Sequence, residues 1–186
     1  MTIRMARFPS ALPVRYQRGF TLVELIVVII VIGILGAVAA SRLTDRGGFD
    51  SRAFADQAAS LVRYGQRVAI AQNRNVYVRI NSSGVALCYQ SGCAAGTRVS
   101  GPAGGNSNSS ATIAACADTA WACEAPPAGV TLSANTQFYF DALGKPFALA
   151  DVAPTAVSTF ATLAVATTAG GVTRSFTVEA ETGYVH

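Results

Sequence analysis

The sequence predicts an α+β fold, in which a long N-terminal helix precedes an antiparallel β-sheet domain. Three observations support this prediction. An apolar run extends from Phe20 to Ala40, small and apolar residues then recur at three- and four-residue steps, and alternating β-branched stretches follow Asn73. We expect the first half of the helix to span a membrane and the second half to pack its apolar face on the sheet.

The apolar run is long enough to cross a bilayer. Glu24 is the only ionisable side chain in residues 20–40, and a helix of that length covers roughly 30 Å, the thickness of the hydrocarbon core. A secretory signal is the alternative, because Ala37-Val38-Ala39 before Ala40 resembles a small-residue cleavage site. The run is longer than a usual signal core and Glu24 interrupts it early, so a membrane helix is favoured.

Positive charge is concentrated ahead of this run. The chain has a net charge of +4, but the residues from Phe20 onward contain ten acidic and ten basic side chains. Net charge therefore gives no support to nucleic-acid binding. The excess positive charge comes from four arginines in the first 19 residues, a stretch that contains no acidic residue. They are Arg4, Arg7, Arg15 and Arg18. Positive charge ahead of an apolar run places the N-terminus in the cytoplasm and the rest of the chain across the membrane.

A second helical segment is expected to begin near Asp50, after a polar stretch at residues 42–48 that could act as a hinge. One face of this helix is apolar, and it comprises Phe54, Ala58, Leu61, Val62, Gly65, Val68 and Ala69. The opposite face carries Arg52, Arg63, Arg67 and Arg74. The last three arginines could contact DNA phosphates, but a solvated face or a subunit contact is favoured.

Beyond Asn73 the pattern changes to that of β-strands. Residues 76–80 and 85–89 alternate around the turn Asn81-Ser82-Ser83-Gly84, which predicts a β-hairpin. The stretch 142–146, Ala-Leu-Gly-Lys-Pro, predicts a turn between two later strands. Further strands are predicted at residues 130–132, 136–141, 159–167 and 172–179, and together they indicate an antiparallel sheet.

Residues 90–129 are rich in Gly, Ser, Ala and Pro and are predicted to form a long surface loop that supplies no core. The four cysteines of the chain lie in or beside this loop, in a domain expected to be exported, where disulfides persist. Four cysteines allow three pairings, and we favour the two short loops. These are Cys88 with Cys93 and Cys116 with Cys123.

Enzymatic chemistry is not expected. The only histidine is the terminal His186, which is predicted to be frayed, and the cysteine spacings match neither a redox pair nor a zinc site. No nucleotide-binding or nucleophile-elbow motif is present in the sequence. We therefore expect no cofactor, no metal and no catalytic residue, and a packing role for Trp121.

The N-terminal junction Gly19-Phe20-Thr21-Leu22-Val23-Glu24 resembles the leader junction of type IV prepilins and pseudopilins. The resemblance implies that prepilin peptidase cuts between Gly19 and Phe20 and that the new N-terminus at Phe20 is methylated. Glu24 would then meet the N-terminal amine of a neighbouring subunit, which lowers its burial cost and sets the axial register. The implied partners are this peptidase, major and minor pilin subunits, and the inner-membrane assembly platform.

The resemblance also implies three regions: a cleaved cytoplasmic leader at 1–19, a transmembrane assembly helix at 20–43 and a periplasmic pilin-like domain at 44–186. Three further stretches are similar to the H-type pseudopilin and FimT group. They are residues 49–57 (FDSRAFADQ), 61–71 (LVRYGQRVAIA) and 140–146 (FDALGKP). Within that group they are most similar to the C-type minor pilin of mannose-sensitive haemagglutinin (MSHA) pili. An inner-membrane subunit that moves into a surface pilus is expected. A type II secretion pseudopilin and a DNA-binding competence pilin are the alternatives.

Overall fold

The computed structural model describes residues 19–43, 47–151 and 157–186. The predicted leader lies outside these residues except for Gly19, and so does the centre of the predicted hinge. The chain divides into two compact units, Met1–Thr44 and Asp45–His186.

The described residues of the first unit form the helix α1, which spans Leu22–Leu43. Its segment Leu22–Ala39 is long and apolar enough to cross a membrane. No residue of that segment is buried within the protein, so its large apolar side chains face outward all round the helix. A helix that is apolar on every face needs an apolar environment from outside the unit, as a membrane span does.

The second unit begins with helix α2, Gly47–Gln72. Every residue of the predicted apolar face is buried, which confirms the helical periodicity. The helix ends in a Schellman motif, in which Asn73 adopts a left-handed backbone with φ 50°, the Asn73 amide donates to the Ile70 carbonyl and the Arg74 amide donates to the Ala69 carbonyl. Ile70 itself is exposed.

Two antiparallel sheets follow α2, where the sequence had predicted one. The larger sheet has the strand order β3-β2-β1-β5-β6 and the smaller has the order β4-β7-β8. The strands are β1 Val76–Asn81, β2 Gly84–Cys88, β3 Cys123–Glu124, β4 Thr131–Leu132, β5 Thr136–Phe140, β6 Pro146–Ala148, β7 Leu163–Ala169 and β8 Val172–Val178. The predicted hairpin is β1–β2, and the predicted turn after Phe140 joins β5 to β6. Sequence periodicity did not reveal β3 and β6, because strands of two or three residues show no period.

The main core lies between α2 and the sheets. Alternate residues of β1 (Val76, Val78 and Ile80) are fully buried, and Phe138 and Phe140 of β5 meet edge to face at 5.3 Å. At Gly65 the helix comes so close to β2 that an added Cβ would lie 2.9 Å from the Leu87 side chain. The helix and the sheets therefore form one packed unit.

The segment 90–129 is not a surface loop without a core, so that prediction was wrong. It contains two short 3-10 helices, Ala95–Thr97 and Pro102–Gly104, the helix α3 at Ser110–Cys116, and β3. Val99 and Trp121 are buried in the main core, and the indole of Trp121 donates to the Leu87 carbonyl at 2.7 Å. Few apolar side chains suffice here because the structure holds two disulfides, Cys88–Cys93 and Cys116–Cys123, and a buried hydrogen-bond network.

The C-terminus is also ordered, contrary to the frayed end that was expected. His186 exchanges two backbone hydrogen bonds with Thr177, of 2.7 and 3.0 Å, and its ring lies 2.9 Å from Glu179 Oε1. Residues 179–184 turn the chain back so that Val185 pairs with Val178. The reversed chain is held in place because it adds backbone pairs to the otherwise open edge of β8 and because the Val185 carbonyl accepts a hydrogen bond from Arg63 of α2.

Candidate processing and assembly site

The start of α1 is capped by Thr21, a residue for which no role was predicted. The Thr21 hydroxyl accepts a hydrogen bond from the Glu24 amide at 3.2 Å, and the Thr21 carbonyl accepts one from the Leu25 amide at 3.1 Å. The first bond satisfies an amide that a helix N-terminus leaves unpaired, and the second is the first backbone hydrogen bond of the helix. The spacing Thr-x-x-Glu before an apolar run is the capping-box signature, so this role was readable from the sequence.

Glu24 lies in the first turn of α1 and is exposed within the single chain. A carboxylate there interacts favourably with the positive end of the helix dipole. A counter-charge from a neighbouring group would stabilise Glu24 if α1 enters lipid, because an unpaired carboxylate is unfavourable there. The cap therefore fixes the position of Glu24 along the helix through its backbone amide, and it does not use the Glu24 carboxylate.

The peptide bond between Gly19 and Phe20 precedes the helix. Both residues are exposed and non-helical, Phe20 with 74% of its surface accessible, and an added Cβ on Gly19 would meet no atom within 4 Å. An exposed, non-helical peptide is the kind of segment that an endopeptidase can cut. After a cut at this bond, the new amine would lie two residues before the first residue of α1.

The three arginines that were considered for DNA contact do not form one free basic surface. Arg63 Nε donates to the Val185 carbonyl at 2.9 Å and so ties α2 to the C-terminal segment. The Arg74 guanidinium lies 3.8 Å from the centre of the Tyr89 ring, which is a cation–π contact. Arg67 is exposed. Such long-range partners carry no signal in the local sequence pattern.

The remaining candidates concern metals and cysteine chemistry. All four cysteines are in disulfides. Within residues 19–43, 47–151 and 157–186, no three His, Cys, Asp or Glu side chains come together in a geometry that could hold a metal ion. Trp121 packs in the core, with the Arg98 and Arg79 guanidiniums 4.3 and 5.5 Å from its ring centre, so its predicted packing role is what the structure shows.

Comparison with known proteins points to the same N-terminal segment. The prokaryotic N-terminal methylation motif matches residues 14–40, a stretch that includes Gly19, Phe20 and Glu24. Among solved structures, the chain is similar to the type IV minor pilin FimU of Pseudomonas aeruginosa strain PAO1, with 16% sequence identity, a TM-score of 0.44, and coverage of 77% of this chain and 90% of FimU. No curated protein matches the chain. The chain thus carries a prokaryotic N-terminal methylation motif that extends into the apolar helix α1.

Proposed function

We propose that this chain is a minor type IV pilin, a structural subunit without enzymatic activity. Prepilin peptidase would remove residues 1–19 and methylate Phe20, and α1 would hold the subunit in the inner membrane with the second unit in the periplasm. The observation that carries the proposal is the methylation motif over residues 14–40, with Glu24 in the first turn of an apolar helix. The subunit would then pass from the membrane into a pilus.

Within this class we propose the C-type minor pilin of MSHA pili, on the wording of residues 49–57, 61–71 and 140–146. A type II secretion pseudopilin is the competing assignment. The two disulfides suit an exported domain in either assignment, because such cross-links persist both in the periplasm and outside the cell. Shearing cells and finding the chain in the released filaments would support a pilus, whereas a chain that stays periplasmic would support a pseudopilus.

The DNA-binding alternative finds no specific support in the contacts of its arginines. Arg63 and Arg74 already have partners on the same chain, at the Val185 carbonyl and the Tyr89 ring. Salt-dependent retention of duplex DNA by the full chain, lost when Arg67 is changed to glutamine, would nevertheless revive it.

The proposal is tested through the carboxylate of Glu24. A Glu24→Gln variant keeps the side-chain shape and leaves the Thr21 cap in place, but it removes the charge that pairs with a neighbour's amine. We expect normal membrane insertion and processing together with little or no incorporation into filaments, measured by immunoblotting sheared pili. Incorporation at the wild-type level would contradict the role assigned to Glu24.

A further inference from the structure

A second surface, at the start of α2, has features that a structural subunit does not need for its own packing. Phe49 is 80% exposed, although it is flanked by buried or half-buried residues of the same helix. It borders a cleft of about 280 Å³ between the first turns of α2 and the start of β8. The described residues that line this cleft are Gly48, Phe49, Arg52, Val172 and Arg174.

The charged side chains among the described lining residues of this cleft are both basic. They belong to Arg52 and Arg174, and both arginines are exposed, Arg52 with 72% of its side chain accessible. The ion pair between Arg52 and Asp56 spans 4.0 Å between two highly exposed groups, so it holds Arg52 only weakly. The guanidinium groups can therefore turn toward an anionic ligand, and their planar forks suit phosphate oxygens.

The cleft also has an apolar side, formed by the Phe49 ring and the Val172 side chain. An exposed aromatic ring next to arginines is the composition that favours the interface of a membrane, where the ring enters the upper acyl chains and the charges meet the headgroups. A free phosphate ion would use the arginines and leave the ring without a partner. The combination points to a phospholipid.

The position of this surface in the chain supports the same ligand. Only three residues of sequence separate the end of α1 at Leu43 from the start of α2 at Gly47. A helix that enters a bilayer therefore tethers Phe49 and Arg52 within a few residues of the lipid headgroups.

We propose that the surface formed by Phe49, Arg52, Val172 and Arg174 binds an anionic phospholipid headgroup, with the Phe49 ring inserted among the acyl chains. It holds the second unit against the membrane before the subunit leaves the bilayer. The proposal rests on membrane insertion of α1, which is part of the proposed function, but it does not depend on processing or on filament assembly.

The test uses the full chain in nanodiscs that hold one copy each, which removes contacts between copies. A Phe49→Trp variant is placed in discs of phosphatidylcholine alone or mixed with phosphatidylglycerol, with acyl chains brominated to quench nearby indoles. Trp121 is buried, so the wild-type signal can be subtracted. We expect strong quenching of the introduced tryptophan in the mixed discs and weaker quenching in phosphatidylcholine alone.

Charge and position controls separate lipid binding from general proximity. In the Arg52→Gln/Arg174→Gln background, the equilibrium constant for insertion of the introduced tryptophan, measured from its quenching, should fall by roughly tenfold. The reason is that each arginine interacts with the anionic surface. Arg67→Gln, on the same helix but outside the cleft, should leave it unchanged. A tryptophan introduced at Leu143, which is 86% exposed on the β5–β6 turn, should not be quenched.

Failure of the proposal is distinguishable from failure of membrane insertion. A tryptophan introduced at Ile29 in α1 should be quenched in both kinds of disc. If that position is quenched but position 49 behaves like position 143, or if the double arginine variant has no effect, the lipid assignment is overturned while α1 remains a membrane helix. If position 29 is not quenched, the insertion itself fails, and the lipid site fails with it.

Discussion

At the scale of single residues, the second unit depends on a buried carboxylate that the sequence gives no reason to expect. Glu124 is 7% exposed, and it accepts hydrogen bonds from the Ser107 amide at 2.7 Å, the Ser107 hydroxyl at 2.6 Å and the Thr112 hydroxyl at 3.0 Å. The Thr112 hydroxyl also accepts from the Ala125 amide. A buried charge is tolerated when its acceptors are filled in this way, and it then fixes the fold of a segment with few apolar residues.

A Thr112→Val substitution should therefore destabilise the protein by about 2 to 3 kcal/mol, because it removes one donor to a buried carboxylate and one acceptor for a buried amide. The measurement is urea unfolding of the detergent-solubilised full chain, followed by Trp121 fluorescence. Thr119→Val, at an exposed position, is the matched control and should change stability by no more than about 0.5 kcal/mol. Equal losses in both variants would contradict the network role.

Asp151 joins two parts of the chain that lie on either side of residues 152–156. Its carboxylate accepts from the Thr159 hydroxyl at 2.6 Å and from the amides of Thr159 and Ala148, each at 2.9 Å. The Thr159 hydroxyl and amide lower the pKa of the Asp151 carboxyl below its ordinary value of 3.8. Burial acts to raise this pKa, and the Ala148 amide acts to lower it further. The link also holds Thr159 away from β7, which starts at Leu163 and not at residue 159 as predicted.

The lowered pKa predicts a pH dependence of stability. Since the folded pKa is below the unfolded one, the stabilisation is complete above the ordinary value of 3.8 and is lost as the pH falls through the folded pKa. In urea unfolding between pH 7 and pH 2, wild type should lose its advantage over Asp151→Asn only at the acid end. Thr159→Val, which removes the strongest donor, should reduce this acid loss; a wild-type advantage that is constant over the whole range would refute the assignment.

At the scale of secondary-structure elements, α3 ends under backbone strain. The residue that follows it, Ala117, has φ 52°, a left-handed conformation, and its amide donates to the Ile113 carbonyl at 3.1 Å. Glycine is the usual residue at this position of a helix end because a Cβ is unfavourable there. At the other end of α3, the Ser109 hydroxyl accepts from the Thr112 amide and provides a regular N-cap.

An Ala117→Gly substitution should stabilise the protein by about 0.5 to 1 kcal/mol, because it removes this strain. The matched control is Ala115→Gly, an exposed position inside the same helix, which should destabilise by about 1 kcal/mol. Urea midpoints of the two variants should therefore move in opposite directions. A loss of stability at position 117 would show that the left-handed conformation is not what governs this helix end.

At the scale of the whole molecule, the sequence pattern predicted the parts of the fold that depend on residues close together in the chain. The buried face of α2 and the β1–β2 hairpin follow from residue spacing and turn chemistry, and α1 follows from its uniform apolarity. The second sheet, the fold of residues 90–129 and the order of the C-terminus depend on contacts between distant residues. The Trp121–Leu87 hydrogen bond and the Arg63–Val185 hydrogen bond are examples, and no sequence pattern predicts either of them.

The two candidate sites differ in the same respect, because one is formed by neighbours in sequence and the other by residues far apart in the chain. The Gly19–Phe20 junction, Glu24 and the Thr21 cap lie within six consecutive residues, so a single motif contains them. The cleft beside Phe49 joins residues that are more than a hundred positions apart, and only the folded chain brings Arg52 and Arg174 to one surface. Sequence reading could therefore find the first site and could not find the second.

The most direct test of the central proposal is the N-terminus of the protein in membranes. The full chain is expressed with and without prepilin peptidase, and the membrane-bound protein is analysed by intact mass and N-terminal sequencing. With the peptidase, we predict a mature chain that begins at Phe20 and carries one methyl group on its amine; without it, the chain should begin at Met1. A chain that begins at Ala40, or that remains uncut when the peptidase is present, would contradict the assignment as a type IV pilin.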